Sequence, residues 1–301
     1  MKQQNMNEVL RGKQFFTKRM FPFHIERYRI LKDNYIPPHT HDFFELVYVV
    51  RGNAHHQIED KTYELSAGNV FILEPSMYHR FRASLSHDTV VYNVLFNKEF
   101  LHRELNTLST MPSFVNFFYL IPFLQKHSSF IQFLPLQLVQ KIQIEKHLDA
   151  IYREYQEKED GYQFVIKTRL IEVLILLSRY YKTNQGKQNI FISDDEAIQS
   201  IAHFLKEHCN QPISLSQLSK TFGISVSSLT AKFKAHTGKT LIEFKHTAQI
   251  QQACYKLQES KKKISTIALD SGFNDLSHFN RVFKKHTGTT PSHYRSNGGE
   301  S

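Results

Sequence analysis

A chain of 301 residues is too long for one ordinary hydrophobic core and predicts two domains, and its 41% hydrophobic and 22% charged residues exclude a disordered protein. Two cysteines exclude a disulfide framework, and an N-terminus without a long apolar run predicts neither a secretory signal nor a membrane span, which favours the cytoplasm. The net charge of +10 favours a polyanionic partner, but positive charge is spread over both halves of the chain, so motifs must show which half binds it.

Residues 24–97 alternate apolar and polar side chains in short runs. Turn formers separate the runs, among them the Pro-Pro pair at 37–38 and the Ser-Ala-Gly segment at 66–68. A period of two residues is typical of strands buried on one face, and many short strands between turns predict an antiparallel barrel or sandwich.

From about Leu136 the apolar period changes to that of helices. Two amphipathic stretches joined by a polar turn at 157–162 predict a helical hairpin. Its first helix is marked by Leu138, Ile142, Ile144, Leu148 and Ile151, and its second by Val165, Leu170, Leu174 and Leu177. Such a hairpin either closes the core of the barrel, which we favour, or pairs with a second subunit. The polar segment that follows it predicts an interdomain linker.

The C-terminal region contains an internal repeat. Ser193 with Glu196, and Ser214 with Gln217, have the spacing of helix capping boxes. Farther on, the sequence Phe-Lys-Ala-His-Thr-Gly at 233–238 is matched by Phe-Lys-Lys-His-Thr-Gly at 283–288. The same structural unit is therefore predicted twice.

Each copy has the pattern of a helix, a turn containing glycine, and a second helix that opens with small polar residues. In the second helices, Leu229 with Phe233 and Phe279 with Phe283 are spaced to bury against the first helix. Short hydrogen-bonding side chains flanked by Lys and Arg suit base edges and phosphates in a major groove. The candidate DNA-binding residues are Ser227, Ser228, Thr230, Lys232, Asn274, Asp275, Ser277, His278, Asn280 and Arg281. A merely solvated polar face is the alternative for either helix alone, and the duplication favours DNA.

The segment 264–295 contains, in order, Ile-Ala, Gly-Phe, Phe-x-x-x-Phe-Lys, Thr-Gly and Thr-Pro-x-x-Tyr-Arg. It closely resembles the diagnostic stretch of the AraC/XylS transcription regulators, and the resemblance extends over about 195–295. It implies two helix-turn-helix subdomains joined by a long helix at 242–258, with recognition helices in successive major grooves. It also implies a regulator that mostly activates promoters by contacting RNA polymerase.

Two positions depart from the family's pattern. Ala231 and Gln249 stand where that family usually has Arg. Since Arg supplies phosphate contacts that Ala and Gln replace poorly, both departures predict a smaller contribution to affinity from the first unit.

A second candidate site lies in the N-terminal barrel, where His39, His41 and Glu45 are followed later by His79. This spacing resembles the first cupin motif and part of the second. In metal-binding cupins the matching residues surround one ion, which implies Fe, Mn, Ni or Zn. Three interpretations stay open: a pocket for a small-molecule effector, which we favour, a divalent metal site, and a purely structural network. The neighbouring histidines are predicted at the surface: His55, His56 and His87.

The sequence thus predicts an α+β protein. A cupin-like β-barrel with a helical hairpin, for effector sensing and dimerisation, spans 1–185, a linker spans 186–193, and an all-α double helix-turn-helix DNA-binding domain spans 194–301. The predicted function is a cytoplasmic, non-enzymatic, sequence-specific transcription activator. Its expected partners are double-stranded DNA, RNA polymerase, a small-molecule effector and a second copy of the chain. The alternatives are a metal-cupin dioxygenase or isomerase fused to a DNA-binding region, and a chromosome-associated or RNA-binding protein. Metal-dependent turnover would favour the first, and absence of a defined operator the second.

Overall fold

A computed structural model describes residues 8–18, 20–120, 122, 134–184, 193–211 and 213–296. The chain divides into two compact units, Met1–Gln188 and Asn189–Ser301. The predicted linker at 186–193 lies, apart from its last residue, outside the described residues.

The first unit is built on two β-sheets. In the described residues the strands are β1 Glu8–Leu10, β2 Phe23–Ile30, β3 Tyr35–His41, β4 Phe44–Arg51, β5 Asn53–Ile58, β6 Lys61–Ser66, β7 Asn69–Leu73, β8 His79–Ala83, β9 Thr89–Phe96 and β10 Leu134–Pro135. One five-stranded sheet has the order β1-β3-β8-β5-β6 and the other the order β10-β7-β4-β9-β2. Apart from the parallel β1–β3 pair, the neighbouring strands are antiparallel. The predicted α+β class with an antiparallel barrel or sandwich is confirmed.

The two sheets differ in how their strands are buried. Along β5 and β8, buried and partly or fully exposed residues alternate, because only one face of their sheet packs on the core. Along β4 and β9 nearly every residue is buried, since helices cover the outer face of the second sheet. Val47, Leu73 and Phe81 belong to the apolar cluster between the sheets.

In the described residues of the first unit the helices are α1 His102–Leu108, α2 Pro112–Val115, which continues into a π-helical turn at Asn116–Leu120, α3 Leu138–Glu157 and α4 Tyr162–Asn184. Helix α3 lies on the outer face of the second sheet, where Tyr48 donates a 2.5 Å hydrogen bond to Glu145 and Tyr92 donates another to Asp149. Helix α3 thus packs within the first unit, on the outside of one sheet, and contributes to the core of this unit as the favoured interpretation of the hairpin expects.

One detail of the predicted hairpin is wrong. Ile144, Leu148 and Ile151 are buried, but Leu138 and Ile142 are 73% and 61% exposed. At about 100° per residue, Leu138 and Ile142 share one face of α3, and the three buried residues share another. The predicted single stripe therefore combines two faces of the helix.

The second unit is wholly helical in its described residues. Its helices are α5 Asp194–Glu207, α6 Leu215–Phe222, α7 Val226–Thr237, α8 Leu241–Glu259, α9 Ile264–Asp270, α10 Leu276–Thr287 and α11 Pro291–Ser296. Both predicted capping boxes are confirmed, Ser193 with Glu196 at α5 and Ser214 with Gln217 at α6. Helices α6 and α7 form the first helix-turn-helix unit, α9 and α10 form the second, and α8 joins them.

Candidate DNA-binding faces and barrel pocket

Helices α7 and α10 have equivalent structures. The Ser225 hydroxyl accepts a hydrogen bond from the backbone N–H of Ser228 at 3.2 Å, and the Asp275 carboxylate accepts one from the N–H of His278 at 2.6 Å. Each side-chain cap fixes where its helix begins. On the inner faces, Leu229 and Phe233 in α7, and Phe279 and Phe283 in α10, are fully buried, which confirms the predicted assignment of the faces.

The outer face of α7 carries the first set of predicted DNA-binding residues. Ser227 and Thr230 are exposed, and Ser228 is half-buried. Lys232 lies at the side of this face, where its ammonium forms an ion pair with Asp194 at the start of α5. The centre of the face is a shallow depression lined by Val226, Ser227, Thr230, Ala231, Lys234 and Ala235. Sequence reasoning missed Lys234, although it lies four residues after Thr230 and so shares its face.

The outer face of α10 and the turn before it carry the second set. Asn274, Asp275, Ser277, Asn280 and Arg281 are exposed. His278 is half-buried, with its ring centroid 5.5 Å from that of His246 and 5.7 Å from that of Phe273. The exposed Lys284 and Lys285 were also missed by sequence reasoning, and Lys284 follows Asn280 by four residues on the same face.

Helix α8 holds the two helix-turn-helix units together through buried polar contacts. The Gln249 amide, 3% exposed, donates a 3.2 Å hydrogen bond to the Gly272 carbonyl in the turn before α10. Lys245 donates to the Gln211 carbonyl at 2.6 Å, and burial lowers the pKa of Lys245. The interpretation of Gln249 as a lost phosphate contact is wrong, because the side chain lies inside the domain and bonds to a turn of the second unit.

The barrel contains a cavity of about 310 Å³ between its sheets. Most of its lining is apolar, and its polar side chains are Glu26, Tyr28, His39, Glu45, His56, His79 and Asn93. His39 and His79 are register partners on the neighbouring strands β3 and β8. His41 lies beside the cavity, where its ring stacks on Phe43. The structure therefore brings together the four predicted residues His39, His41, Glu45 and His79.

Hydrogen bonds fix the orientation of the three predicted histidines. Nδ1 lies 2.9 Å from the Pro37 carbonyl in His39, 2.7 Å from the Phe43 carbonyl in His41, and 3.2 Å from the Met77 carbonyl in His79. Because a carbonyl only accepts, each Nδ1 carries a proton, and Nε2 is the ring nitrogen left for other contacts. Nε2 of His41 and of His79 lie 3.3 and 3.6 Å from a Glu45 carboxylate oxygen.

The electrostatics favour an ionised Glu45 carboxylate beside a neutral His79 ring. Burial alone would raise the pKa of Glu45, but its hydrogen bond with His41 and the nearby His79 lower that pKa to about 2. Burial lowers the pKa of His79 well below its usual value, against the opposing effect of Glu45. Ligand atoms of His39, Glu45 and His79 lie within 4.8 Å of one another, which is the geometry of a site able to hold a cation.

Sequence reasoning also missed His56, which was predicted at the surface but is 1% exposed. Its ring packs 4.7 Å from Phe71 and 5.5 Å from His79, and burial lowers its pKa to about 3. The alternation of β5 explains the error: Ala54, His56 and Ile58 face the core. His55 and His87 are exposed, as predicted.

None of the described helices is long and apolar enough to span a membrane. Two family models match the chain: the AraC-like ligand binding domain over residues 25–174 and the helix-turn-helix domain HTH_18 over residues 218–297. The HTH-type transcriptional activator RhaR of Escherichia coli is 26% identical over 257 residues, which cover 85% of this chain and 86% of RhaR.

Among solved structures, apo ToxT from Vibrio cholerae is 17% identical, with a TM-score of 0.38, and covers 91% of this chain and 97% of its own. The DNA-binding domain of AdpA in complex with a target DNA is 20% identical, with a TM-score of 0.33, and covers 34% of this chain and 91% of its own. Since these TM-scores are low, the assignment rests on the family models and on RhaR. The chain therefore belongs to the AraC family of helix-turn-helix transcription regulators and carries that family's ligand-binding domain.

Proposed function

We propose that this regulator is an activator that binds an asymmetric operator with both helix-turn-helix units, under the control of a small molecule in the barrel. The observation that carries the proposal is the pair of equivalent helices, α7 and α10. Each has a side-chain cap at its N-terminus and a fully buried Phe at the equivalent position. Both present a largely exposed outer face that includes lysine. The name of RhaR as an activator supports the direction of regulation.

The residues on these faces divide by their chemistry. We assign Lys232 and Arg281 to phosphates, because charged ends of long side chains fix position on the duplex without reading sequence. Asn274, Ser277, His278 and Asn280 are assigned to base edges in the second half-site. Ser227, Ser228 and Thr230 take the first half-site, and Asp275 supports α10 as its N-terminal cap.

Selection of bound sequences from random duplexes tests the proposal directly. The full chain is expected to enrich one sequence of roughly two helical turns, since recognition helices in successive grooves lie about 34 Å apart. Asn280→Ala is expected to relax the preference at one half-site only. Enrichment of no sequence at all would contradict operator binding and favour a general nucleic-acid-binding protein.

For the barrel we propose a small polar effector that fills the cavity and contacts His39, His41, Glu45 and His79. Asn93 supports this, because its buried side-chain oxygen lies in the cavity lining without a hydrogen-bond partner in the described structure. A ligand donor would satisfy this acceptor. Screening small sugars and organic acids by thermal shift, with Asn93→Leu as a control, tests the proposal. A compound that raises the melting temperature of the wild type and of Asn93→Leu equally would contradict a role for this oxygen.

A divalent transition metal is the second candidate for the same cluster. Its supporting observation is the convergence of His39, Glu45 and His79, whose ligand atoms lie within 4.8 Å of one another around an ionised carboxylate. His39, Glu45 and His79 would hold the ion, which would supply an open position for an oxygen of the effector. Co²⁺ titration of EDTA-treated protein is expected to give a visible absorption band that His79→Ala abolishes. An unchanged spectrum in wild-type protein would favour the effector alone.

The partners follow from this proposal. An activator in the cytoplasm would contact RNA polymerase from its operator. We also propose a homodimer through the exposed apolar side chains of α3, since Leu138, Val139 and Ile142 are 73%, 76% and 61% exposed. Sedimentation of wild-type protein and Ile142→Lys tests this: the wild type is expected to dimerise and the variant to remain monomeric, and identical masses would contradict the proposed surface.

A further inference from the structure

The two recognition helices have the same framework but different outer faces. At a spacing of 50 residues, Leu229 and Phe233 of α7 correspond to Phe279 and Phe283 of α10, and all four are fully buried. On the outer faces, Thr230 and Ala231 stand where α10 has Asn280 and Arg281, and Ala235 stands where α10 has Lys285. At these three positions, long or amide side chains of α10 that can hydrogen-bond are replaced on α7 by short side chains that carry methyl groups.

The hydroxyl groups of α7 are largely occupied within the helix. Thr230 Oγ1 donates a 2.8 Å hydrogen bond to the Val226 carbonyl, so this hydroxyl is already engaged within the helix. Ser225 Oγ accepts from the N–H of Ser228 and lies 3.1 Å from Ser227 Oγ. The outer face of α7 thus presents the side chains of Val226, Thr230, Ala231 and Ala235 around its shallow depression, with Lys234 beside them.

In a major groove, the only methyl group on a base edge is the 5-methyl group of thymine. We propose that the first unit reads sequence mainly through thymine methyl groups, which pack against the methyl-lined depression of α7, whereas the second unit reads through hydrogen bonds. This inference rests on the proposed function, namely that both units bind DNA. The positive charge of Lys234 beside the depression suits the phosphates that flank such a contact. The α7 half-site is then thymine-rich on the strand that the helix faces.

The inference predicts how affinity changes when single methyl groups are removed. Replacing one contacted thymine by deoxyuridine removes the methyl group and leaves every base-pair hydrogen bond intact. One buried methylene-sized group is worth about 0.8 kcal/mol, which corresponds to about a fourfold rise in Kd. The same replacement at thymines in the α10 half-site serves as the internal control and is expected to leave Kd nearly unchanged.

Two variants of one side chain separate methyl contact from hydroxyl contact. Thr230→Val keeps the shape and loses the hydroxyl, which bonds only to its own helix in this structure. Thr230→Ser keeps the hydroxyl and loses the methyl. We expect Thr230→Ser to bind about fourfold more weakly than Thr230→Val. The defect of Thr230→Ser is expected to disappear when its thymine is already deoxyuridine, because the same contact is lost only once.

The experiment uses the full chain and an operator obtained by selection. The half-site whose preference relaxes in Asn280→Ala is assigned to α10, and the other to α7. Kd is measured for duplexes with single deoxyuridine replacements and for both Thr230 variants, whose helical content and melting are checked first.

Weaker binding of deoxyuridine duplexes only at the α7 half-site supports the inference. Normal operator binding without any deoxyuridine effect there, or a loss in Thr230→Val but not in Thr230→Ser, overturns it and leaves the proposed function standing. Failure to select any operator would instead contradict the proposed function.

Discussion

The helix-turn-helix domain carries its candidate binding residues at the surface, whereas the barrel carries them inside its core. In the former, Ser277 and Arg281 lie at the surface over a buried Phe279 and Phe283. In the barrel, a carboxylate and four imidazoles lie inside the core, and every one of them is less than a tenth exposed. Changes to the polar groups on the surface of the helix-turn-helix domain should therefore alter DNA binding without altering stability. Changes to those of the barrel should alter stability and its dependence on pH.

The largest expected effect separates the buried face of α10 from its outer face. Phe283 is fully buried and packs against Phe279 and Tyr294, with ring centroids 5.5 Å apart in both pairs. Phe283→Ala is expected to lower the free energy of unfolding by about 3–5 kcal/mol, because it leaves a cavity. Thermal unfolding followed by circular dichroism measures this, with the exposed Ser277→Ala as control. Normal melting of Phe283→Ala together with lost DNA binding would place Phe283 at the interface.

A second prediction tests whether α8 and its neighbouring turns hold the two helix-turn-helix units together. Gly272 has φ +86°, and an added Cβ would lie 2.6 Å from the Cα of Asn210. Gly238 has φ +72°, with open space around its Cβ position. Gly238→Ala should cost only the left-handed backbone strain, about 1–2 kcal/mol. Gly272→Ala should cost more, since backbone must also shift. Equal melting temperatures for the two variants would contradict the close packing of this turn.

The third prediction concerns acid sensitivity of the barrel. The folded pKa of His56 is lowered to about 3 from an ordinary 6.5, so between those values the unfolded state binds a proton that the folded state does not. The contribution of neutral His56 to the free energy of unfolding is therefore fully present above pH 6.5. It declines as pH falls, by up to about 2 kcal/mol at pH 5. His56→Phe should reduce this decline, whereas the exposed His55→Phe should not. Denaturant unfolding at pH 7 and pH 5, in EDTA, measures it, and equal declines in both variants would exclude His56 as the source.

The smallest effect is expected at the lysines of the outer faces. Lys284→Ala should weaken binding to every duplex by a similar factor, and it should lower the slope of log Kd against log salt concentration by about 1 if it neutralises one phosphate. Ser277→Ala should instead change preference at one base pair and leave that slope unchanged. Fluorescence anisotropy across a salt series compares them, and identical slopes in Lys284→Ala and wild type would exclude this phosphate contact.

The sequence was sufficient where the pattern is local. The spacing of Phe279 and Phe283 identified the inner face of α10, and the two capping boxes identified where α5 and α6 begin. These features depend on residues three or four positions apart, whose geometry a helix determines. The cluster in the barrel was found through a motif, because three of its residues lie on β3 and β4 within seven positions.

Features that depend on distant contacts were missed. Alternation along β5 places His56 on the same face as Ala54 and Ile58, but the pairing of β5 with β6 and β8 is what makes this face the inward one. Gln249 was misinterpreted because its partner, Gly272, lies 23 residues farther along the chain. Leu138 and Ile142 were placed in the wrong stripe although 100° per residue already separates them from Ile144, and the sheet under α3 decides only which of the two faces is covered.

Hydroxyl-radical footprinting of the full chain on its selected operator tests the central claim, that both outer faces bind one DNA. The equivalence of α7 and α10 predicts two protected segments on the same side of the duplex, separated by about one helical turn, or roughly 34 Å. Arg281→Ala should weaken the protection of one segment more than that of the other. A single protected segment in the wild type, with no second segment at any protein concentration, would show that one unit does not bind and would contradict the account.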